Sequence, residues 1–202
     1  METTFAPIAA IIAAYLLGSV PFAVVSSKVF RLADPRSYGS GNPGATNVLR
    51  SGNKKAALFT LIGDALKGWA AVFVAQKMGL GDTVVGLVAL AVFFGHLFPV
   101  FLKFKGGKGV ATGAGVLLAL DPLLGLAVAG TWLFAALAFR YSSLAAILAA
   151  ALAPVYSLLM HGANAQIIVI GIIAMALIGK HWQNFQRLLA GQETRIGSKK
   201  KR

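Results

Sequence analysis

Phe5-Ala-Pro-Ile-Ala-Ala-Ile-Ile-Ala-Ala-Tyr-Leu-Leu-Gly-Ser-Val-Pro-Phe-Ala-Val-Val-Ser-Ser27 is the stretch that decides the fold. It carries no charge, and about 20 apolar residues suffice for a helix to cross a bilayer. Its only preceding charge is Glu2, whereas a secretory signal opens with a basic segment. The stretch therefore reads as a retained transmembrane helix, 5–27, bent at Pro21. The rest of the chain agrees. Of 202 residues, 57% are apolar and 12% charged, and the mean hydropathy is +0.76. Too few charges remain to cover a soluble surface, and the apolar content excludes disorder. With no cysteine, a disulfide framework, a cysteine nucleophile and a cysteine-ligated zinc or iron–sulfur site are excluded.

Further apolar runs follow at 56–76, 84–102, 110–120, 123–139, 143–160 and 165–179, before a basic tail at 195–202. The run 110–120 is short: at about 1.5 Å per residue it covers about half a bilayer. Lys and Arg number 19 against 6 Asp and Glu, a net charge of +13. In a soluble protein that excess points first to nucleic acid. In a membrane bundle it sets topology and attracts anionic lipid or phosphorylated substrates, and nucleic acid is not an expected partner. The connections 28–55, 103–109 and 139–142, with the tail, hold nearly all the Lys and Arg; the N-terminus, 77–83, 121–122 and 161–164 hold only Lys77. The asymmetry fits an odd number of crossings and requires that the short run be counted. The expected fold is all-α: one membrane-embedded domain, 1–202, of about seven transmembrane helices, the fourth short, the N-terminus outside and the C-terminus cytoplasmic.

Three polar clusters lie on the predicted cytoplasmic face. The first is Ser37-Tyr-Gly-Ser-Gly-Asn-Pro-Gly-Ala-Thr-Asn47, followed by Arg50. Its glycines permit backbone shapes that turn successive N–H groups toward one anion, and Arg50 supplies a phosphate-matching fork. The second is Lys103-Phe-Lys-Gly-Gly-Lys-Gly109, with Thr112 beyond it. Three lysines and three glycines in seven residues favour phosphate, but the P-loop spacing is absent and ATP or GTP is not implied. The third is His181-Trp-Gln-Asn-Phe-Gln-Arg187, continuing to Glu193. His181, Asn184 and Arg187, spaced i, i+3, i+6, share one broad face of a helix, and histidine serves as donor, acceptor or base near neutral pH. Within the apolar run 56–76, Asp64 and Lys67 are spaced i, i+3. They form either a mutually neutralising pair or a support for active-site groups, with His96 a further candidate. No Gly-x-Ser-x-Gly elbow, metal-ligand spacing or HxxxxD acid–base motif occurs.

Taken together, Ser40-Gly-Asn-Pro-Gly-Ala-Thr-Asn47, Lys105-Gly-Gly-Lys-Gly-Val-Ala-Thr112 and His181-x-x-Asn184-x-x-Arg187-Leu-x-x-Gly191-x-Glu193 resemble the three signature motifs of the bacterial acyl-phosphate:glycerol-3-phosphate acyltransferases. Gly18-Ser-x-Pro21 is also similar to that family. The resemblance spans essentially the whole chain. It implies an inner-membrane enzyme that transfers a fatty acyl group from acyl phosphate to the 1-hydroxyl of glycerol 3-phosphate, giving lysophosphatidic acid and phosphate, with its active site facing the cytoplasm. On that basis His181, Asn184, Lys108 and Ser40 are the expected catalytic residues. Gly41, Asn42, Thr46, Asn47, Arg50, Lys105, Gly106, Gly107, Gly109, Thr112, Arg187 and Glu193 are expected to bind substrate or phosphate. Asp64, Lys67, His96 and Ser142 are supporting groups. No cofactor or metal is expected. The partners are the two substrates and membrane lipid, with association among phospholipid-synthesis enzymes left open. Either His181 or the donor's own phosphate accepts the hydroxyl proton. The competing reading is a carrier or exchanger of phosphorylated metabolites, for which buried charges and a half-length helix are suited; a lipid-binding scaffold explains the charge but not the Gly/Asn/Ser clustering.

Overall fold

The structure, a computed structural model, describes residues 2–197; of the expected basic tail, 198–202 lie outside the described residues. Among the described residues every regular element is a helix. In chain order they are α1 (Glu2–Ser19), α2 (Phe22–Val29), α3 (Ala45–Leu49), α4 (Lys54–Lys77), α5 (Asp82–Leu97), α6 (Val110–Leu120), α7 (Pro122–Phe139), α8 (Ser142–His161), α9 (Ala165–Lys180) and α10 (Trp182–Leu189). Four spans, Lys54–Lys77, Asp82–Leu102, Pro122–Phe139 and Ser142–His161, are long and apolar enough to cross a membrane. Two bent pairs bring the number to as many as six, and α6 stands as a shorter apolar helix.

Several boundaries differ from the sequence reading for local reasons. The span expected at 5–27 is two helices, α1 and α2, meeting at 46°. Pro21 has no N–H to continue the ladder. The span expected at 84–102 ends as a helix at Leu97; Pro99 follows, and Val100–Leu102 is a short 3-10 turn. Residues before a proline leave the helical region, although the apolar run continues. The loop 28–55 contains α3 and a 3-10 turn at Pro35–Ser37. Asn53 starts α4 two residues early, its side chain accepting from the Ala56 N–H at 3.0 Å.

The chain divides into two compact units, Met1–Pro122 and Leu123–Arg202. In the first, α1 packs on α5, and α4 packs on α2, α3, α5 and α6. Small residues set these distances. A Cβ at Gly18 would strike the Val92 carbonyl and one at Gly95 the Tyr15 carbonyl, so α1 and α5 touch backbone to backbone. A Cβ at Gly115 would strike the Ala65 carbonyl, and one at Gly68 the Thr112 carbonyl, which seats the buried α6 against α4. Gly115→Ala is therefore expected to cost about 1–3 kcal/mol of stability by overpacking; an unchanged melting temperature in detergent would contradict this seating.

The middle turns of α4 face their polar residues inward and large apolar ones outward. Leu66 is 53% exposed, whereas Asp64 and Lys67 are each 3% exposed. Charges are tolerated in a membrane when they face the bundle interior and pair. In the second unit, α8 packs on α9, and alanines join it to α7. Ala135 and Ala136 meet Ala145, and the Thr131 and Tyr156 hydroxyls lie 2.9 Å apart. α9 breaks into α10 at 56°.

Candidate functional site

In the first unit, the loop before α3 separates an inward from an outward set of polar groups. Asn47 is fully turned in. Its amide donates to the Pro35 carbonyl at 2.6 Å and the Tyr38 carbonyl at 3.1 Å, and its oxygen accepts from the Ser40 N–H at 3.0 Å. Gly39, at φ +61°, passes so close that a Cβ there would strike the Asn47 oxygen. Asn47 therefore shapes the loop, and its side chain is spent before any phosphate arrives. Ser40, Gly41, Thr46 and Arg50 stay exposed, and Asn42 is half-buried. At the loop's start Asp34 caps the 3-10 turn and pairs with Arg36 at 2.6 Å. The Arg36 hydrogen bond holds the Asp34 carboxyl below its ordinary range, outweighing desolvation.

The lysine–glycine loop folds back onto the end of α5. Lys103 and Phe104 take the left-handed conformation. The Gly106 N–H then donates to the Leu97 carbonyl at 3.3 Å and the Gly107 N–H to the His96 carbonyl at 3.1 Å. These are last-turn carbonyls that α5 itself cannot satisfy. Gly106 and Gly107, expected to bind phosphate, thus have both N–H groups directed to α5. Lys105 is exposed and Lys108 half-buried. Gly109, at φ +86°, caps α6, so Lys108 stands directly before the N–H groups that open that helix. Thr112, expected to touch phosphate, is fully buried, and its carbonyl lies against Gly68 of α4.

Behind this loop lies a buried charged group. Lys67 Nζ is 2.8 Å from Asp64 Oδ1, and His96 Nδ1 is 3.4 Å from the same oxygen. Lys67 also donates to the Val20 carbonyl at 2.7 Å, in the break between α1 and α2 where Pro21 interrupts the ladder. The pairing reading of Asp64 and Lys67 is thus met, with His96 as a third member. Lys67 and His96 line a small cavity of about 10 Å³ together with Ser19, Pro21, Pro43 and Gly107, space for about one water.

In the second unit, His181 is 3% exposed and sits at the α9–α10 break. It caps α10 from outside rather than lying within it as its spacing suggested. Its Nδ1 is 2.9 Å from the Leu177 carbonyl. A carbonyl only accepts, so Nδ1 carries the hydrogen, and in the neutral ring Nε2 is the acceptor. Glu193 organises the residues beyond. Its Oε1 accepts from Asn184 Nδ2 at 2.7 Å and Ser143 Oγ at 2.8 Å, and its Oε2 accepts from Arg187 Nε at 2.8 Å. Burial pushes the Glu193 carboxyl up, but these three hydrogen bonds outweigh it and hold the group below its ordinary value of 4.5. Glu193 therefore positions Asn184 and Arg187, and its carboxylate is occupied by protein donors where a substrate contact was expected.

The segment carrying Glu193 is strapped down. Ile196 N–H donates to the Arg140 carbonyl at 2.7 Å, Arg140 returns a bond to the Ile196 carbonyl at 3.1 Å, and Arg195 donates to the Tyr141 hydroxyl at 3.1 Å. The sequence reading missed Ser143, Arg140, Tyr141 and Arg195 as members of this network. The only sequence signal was that Glu193 is one of six acids in the chain and so rarely stands without a purpose.

Each unit of this apolar helical protein thus carries exposed or half-buried cationic side chains on built loops. A family profile described as Glycerol-3-phosphate acyltransferase matches residues 8–191. A glycerol-3-phosphate acyltransferase of Dechloromonas aromatica is 80% identical over 192 residues, covering 95% of this chain and 97% of that protein. One of Cupriavidus taiwanensis is 62% identical over 194 residues, covering 94% and 96%. Among solved structures, the chain is similar to the glycerol 3-phosphate form of PlsY, an integral membrane glycerol 3-phosphate acyltransferase. The TM-score is 0.90 at 38% identity, over 95% of this chain and 96% of that one. The lysophosphatidic acid form gives a TM-score of 0.88 over the same shares. The protein is an all-helical membrane acyltransferase. It belongs to the glycerol-3-phosphate acyltransferase family.

Proposed function

We propose that the chain transfers a fatty acyl group from acyl phosphate to the 1-hydroxyl of sn-glycerol 3-phosphate, releasing phosphate and forming lysophosphatidic acid, the first acylation of phospholipid synthesis. The observation that carries this reading is the pair of cations set on separately built supports: Lys108 at the N-terminus of α6 and Arg187 held by Glu193. Each of the two substrates brings a phosphate, so two anion-recognition groups are required. Ser40, Gly41, Asn42, Thr46 and Arg50 hold a substrate phosphate on a loop whose shape Asn47 sets. Lys105 and Lys108 hold the phosphate of the acyl donor and stabilise charge on it as it leaves. Asn184 and Arg187 orient glycerol 3-phosphate.

His181 accepts the hydroxyl proton at Nε2, since Nδ1 is committed to the Leu177 carbonyl. As the carbonyl carbon gains its bond to the hydroxyl oxygen, the bond to the phosphate oxygen breaks and the proton passes to His181. Phosphate is a good leaving group, and no covalent enzyme intermediate is required. The acyl chain lies between helices, open to lipid.

The whole chain, 1–202, serves this one activity from the bacterial inner membrane. The basic connections 28–55, 103–109 and 139–142 support seven crossings, α6 being the short one, with the N-terminus outside and the active face toward the cytoplasm.

His181→Gln is expected to lower kcat by about 100-fold or more, the usual contribution of a general base. A near-normal rate would assign the proton to the donor's phosphate instead. Replacing palmitoyl phosphate by palmitoyl-CoA is expected to give no lysophosphatidic acid; equal product from both donors would overturn the acyl-phosphate assignment.

A further inference from the structure

The buried triad of Asp64, Lys67 and His96 has more members than charge neutralisation needs. Lys67 alone, 2.8 Å from Asp64, would neutralise the carboxylate, and it also takes the carbonyl left at the α1–α2 break. His96 adds a third polar group to an interior where every such group is costly. It stands at the penultimate position of α5, where the chain turns into the lysine–glycine loop.

The contacts run in one direction. Nδ1 of His96 faces Asp64. The opposite edge of the ring faces the loop, where a Cβ at Gly107 would strike Nε2 and sit 2.9 Å from Cε1. The His96 carbonyl receives the Gly107 N–H and would be struck by a Cβ at Gly106. Both glycines are thus seated on His96, by ring and by backbone, and Lys108 is the next residue. Gly109 in turn lies against Phe93 and Leu97, one turn of α5 around His96.

We propose that Asp64 and His96 are positioning residues for Lys108: Asp64, anchored by Lys67, fixes the His96 ring, and the ring sets the seat of Gly106 and Gly107 and so the point from which Lys108 reaches the donor phosphate. The proposal rests on the reading of Lys108 as a phosphate ligand. Its consequence is specific. A loose loop misplaces Lys108 against the departing phosphate, which costs turnover, while recognition of glycerol 3-phosphate, assigned to Asn184 and Arg187, is untouched.

The test uses the full chain purified in detergent or lipid, with palmitoyl phosphate and glycerol 3-phosphate, and variants confirmed as folded by their melting temperatures. His96→Leu is expected to lower kcat by about 100-fold, the cost of a small misplacement of a catalytic group, leaving the KM for glycerol 3-phosphate within about threefold. His96→Asn can still turn an amide N–H toward Asp64 but loses the ring edge that meets Gly107, and is expected to restore kcat only in part, to within about 20-fold of native. Gly107→Ala is expected to be about as damaging as His96→Leu in the native background and to add less than about threefold to His96→Ala, because the ring it strikes is then gone.

A native kcat in His96→Leu overturns the proposal. So does equal impairment of the Leu and Asn variants, a loss confined to the KM for glycerol 3-phosphate, or a Gly107→Ala cost that is the same in both backgrounds. If His96→Leu does not fold, the Gly107→Ala result decides, and native turnover there overturns the brace. Lys108→Ala is measured alongside. An active Lys108→Ala overturns the phosphate reading and the brace together; an inactive Lys108→Ala with an active His96→Leu overturns the brace alone.

Discussion

Lys108→Ala is expected to lower acyl transfer by about 10- to 150-fold. Lys108 is half-buried and precedes the N-terminal turn of α6, where a phosphate would meet both the ammonium and unsatisfied backbone N–H groups. A hydrogen bond to a charged group in such a place is worth about 1.5–3 kcal/mol, which is the stated range of rate. The loss is expected in kcat at saturating glycerol 3-phosphate, because charge on the leaving phosphate grows as the reaction proceeds. Lys103→Ala in the same loop provides the comparison. Lys103 is exposed and left-handed, and its loss is expected to change the rate by no more than about twofold. Equal losses at both positions would mean that the loop acts only through its net charge.

Glu193→Ala is expected to destabilise the second unit by about 3 kcal/mol, because the buried donors on Ser143 and Asn184 lose their acceptor. Arg187 is 41% exposed and turns to water at small cost. Activity is expected to fall with it, since Asn184 and Arg187 lose the carboxylate that orients them. The same group gives a pH dependence. Its folded pKa lies below the ordinary value of 4.5, so the network's stabilisation is present above that value and is lost as the pH falls through the folded pKa. Melting temperatures of the native protein are therefore expected to drop on acidification below about pH 4.5. Glu193→Gln removes the titrating group and is expected to flatten that limb. An unaltered pH profile in the variant would show that other carboxylates dominate.

What the sequence made legible depended on whether one residue type alone carried the signal. The short helix expected at 110–120 is found at Val110–Leu120, because Gly109 and Asp121-Pro122 punctuate it without help from tertiary contacts. The break at Pro21 was legible for the same reason. The end of α5 was not, since Phe98, Pro99 and Val100 prolong the apolar run after the helix has stopped at Leu97, and apolarity does not register backbone geometry.

The polar clusters were legible as clusters, but not their inward and outward members. Asn47 and Thr112 carry the same side-chain chemistry as Asn42 and Thr46, and only the fold turns the first two in. Glu193 reads in sequence as a substrate contact because its partner Ser143 lies fifty residues earlier. The link from Asp64 through His96 to Gly107 is likewise invisible, because three separate segments must meet before it exists.

The most direct test is phosphate release by the purified protein in a lipid-like phase, supplied with palmitoyl phosphate and glycerol 3-phosphate. Release that requires both substrates, with lysophosphatidic acid appearing in equal amount, is the predicted result. Release without glycerol 3-phosphate, or no release from protein shown to be folded, would contradict it.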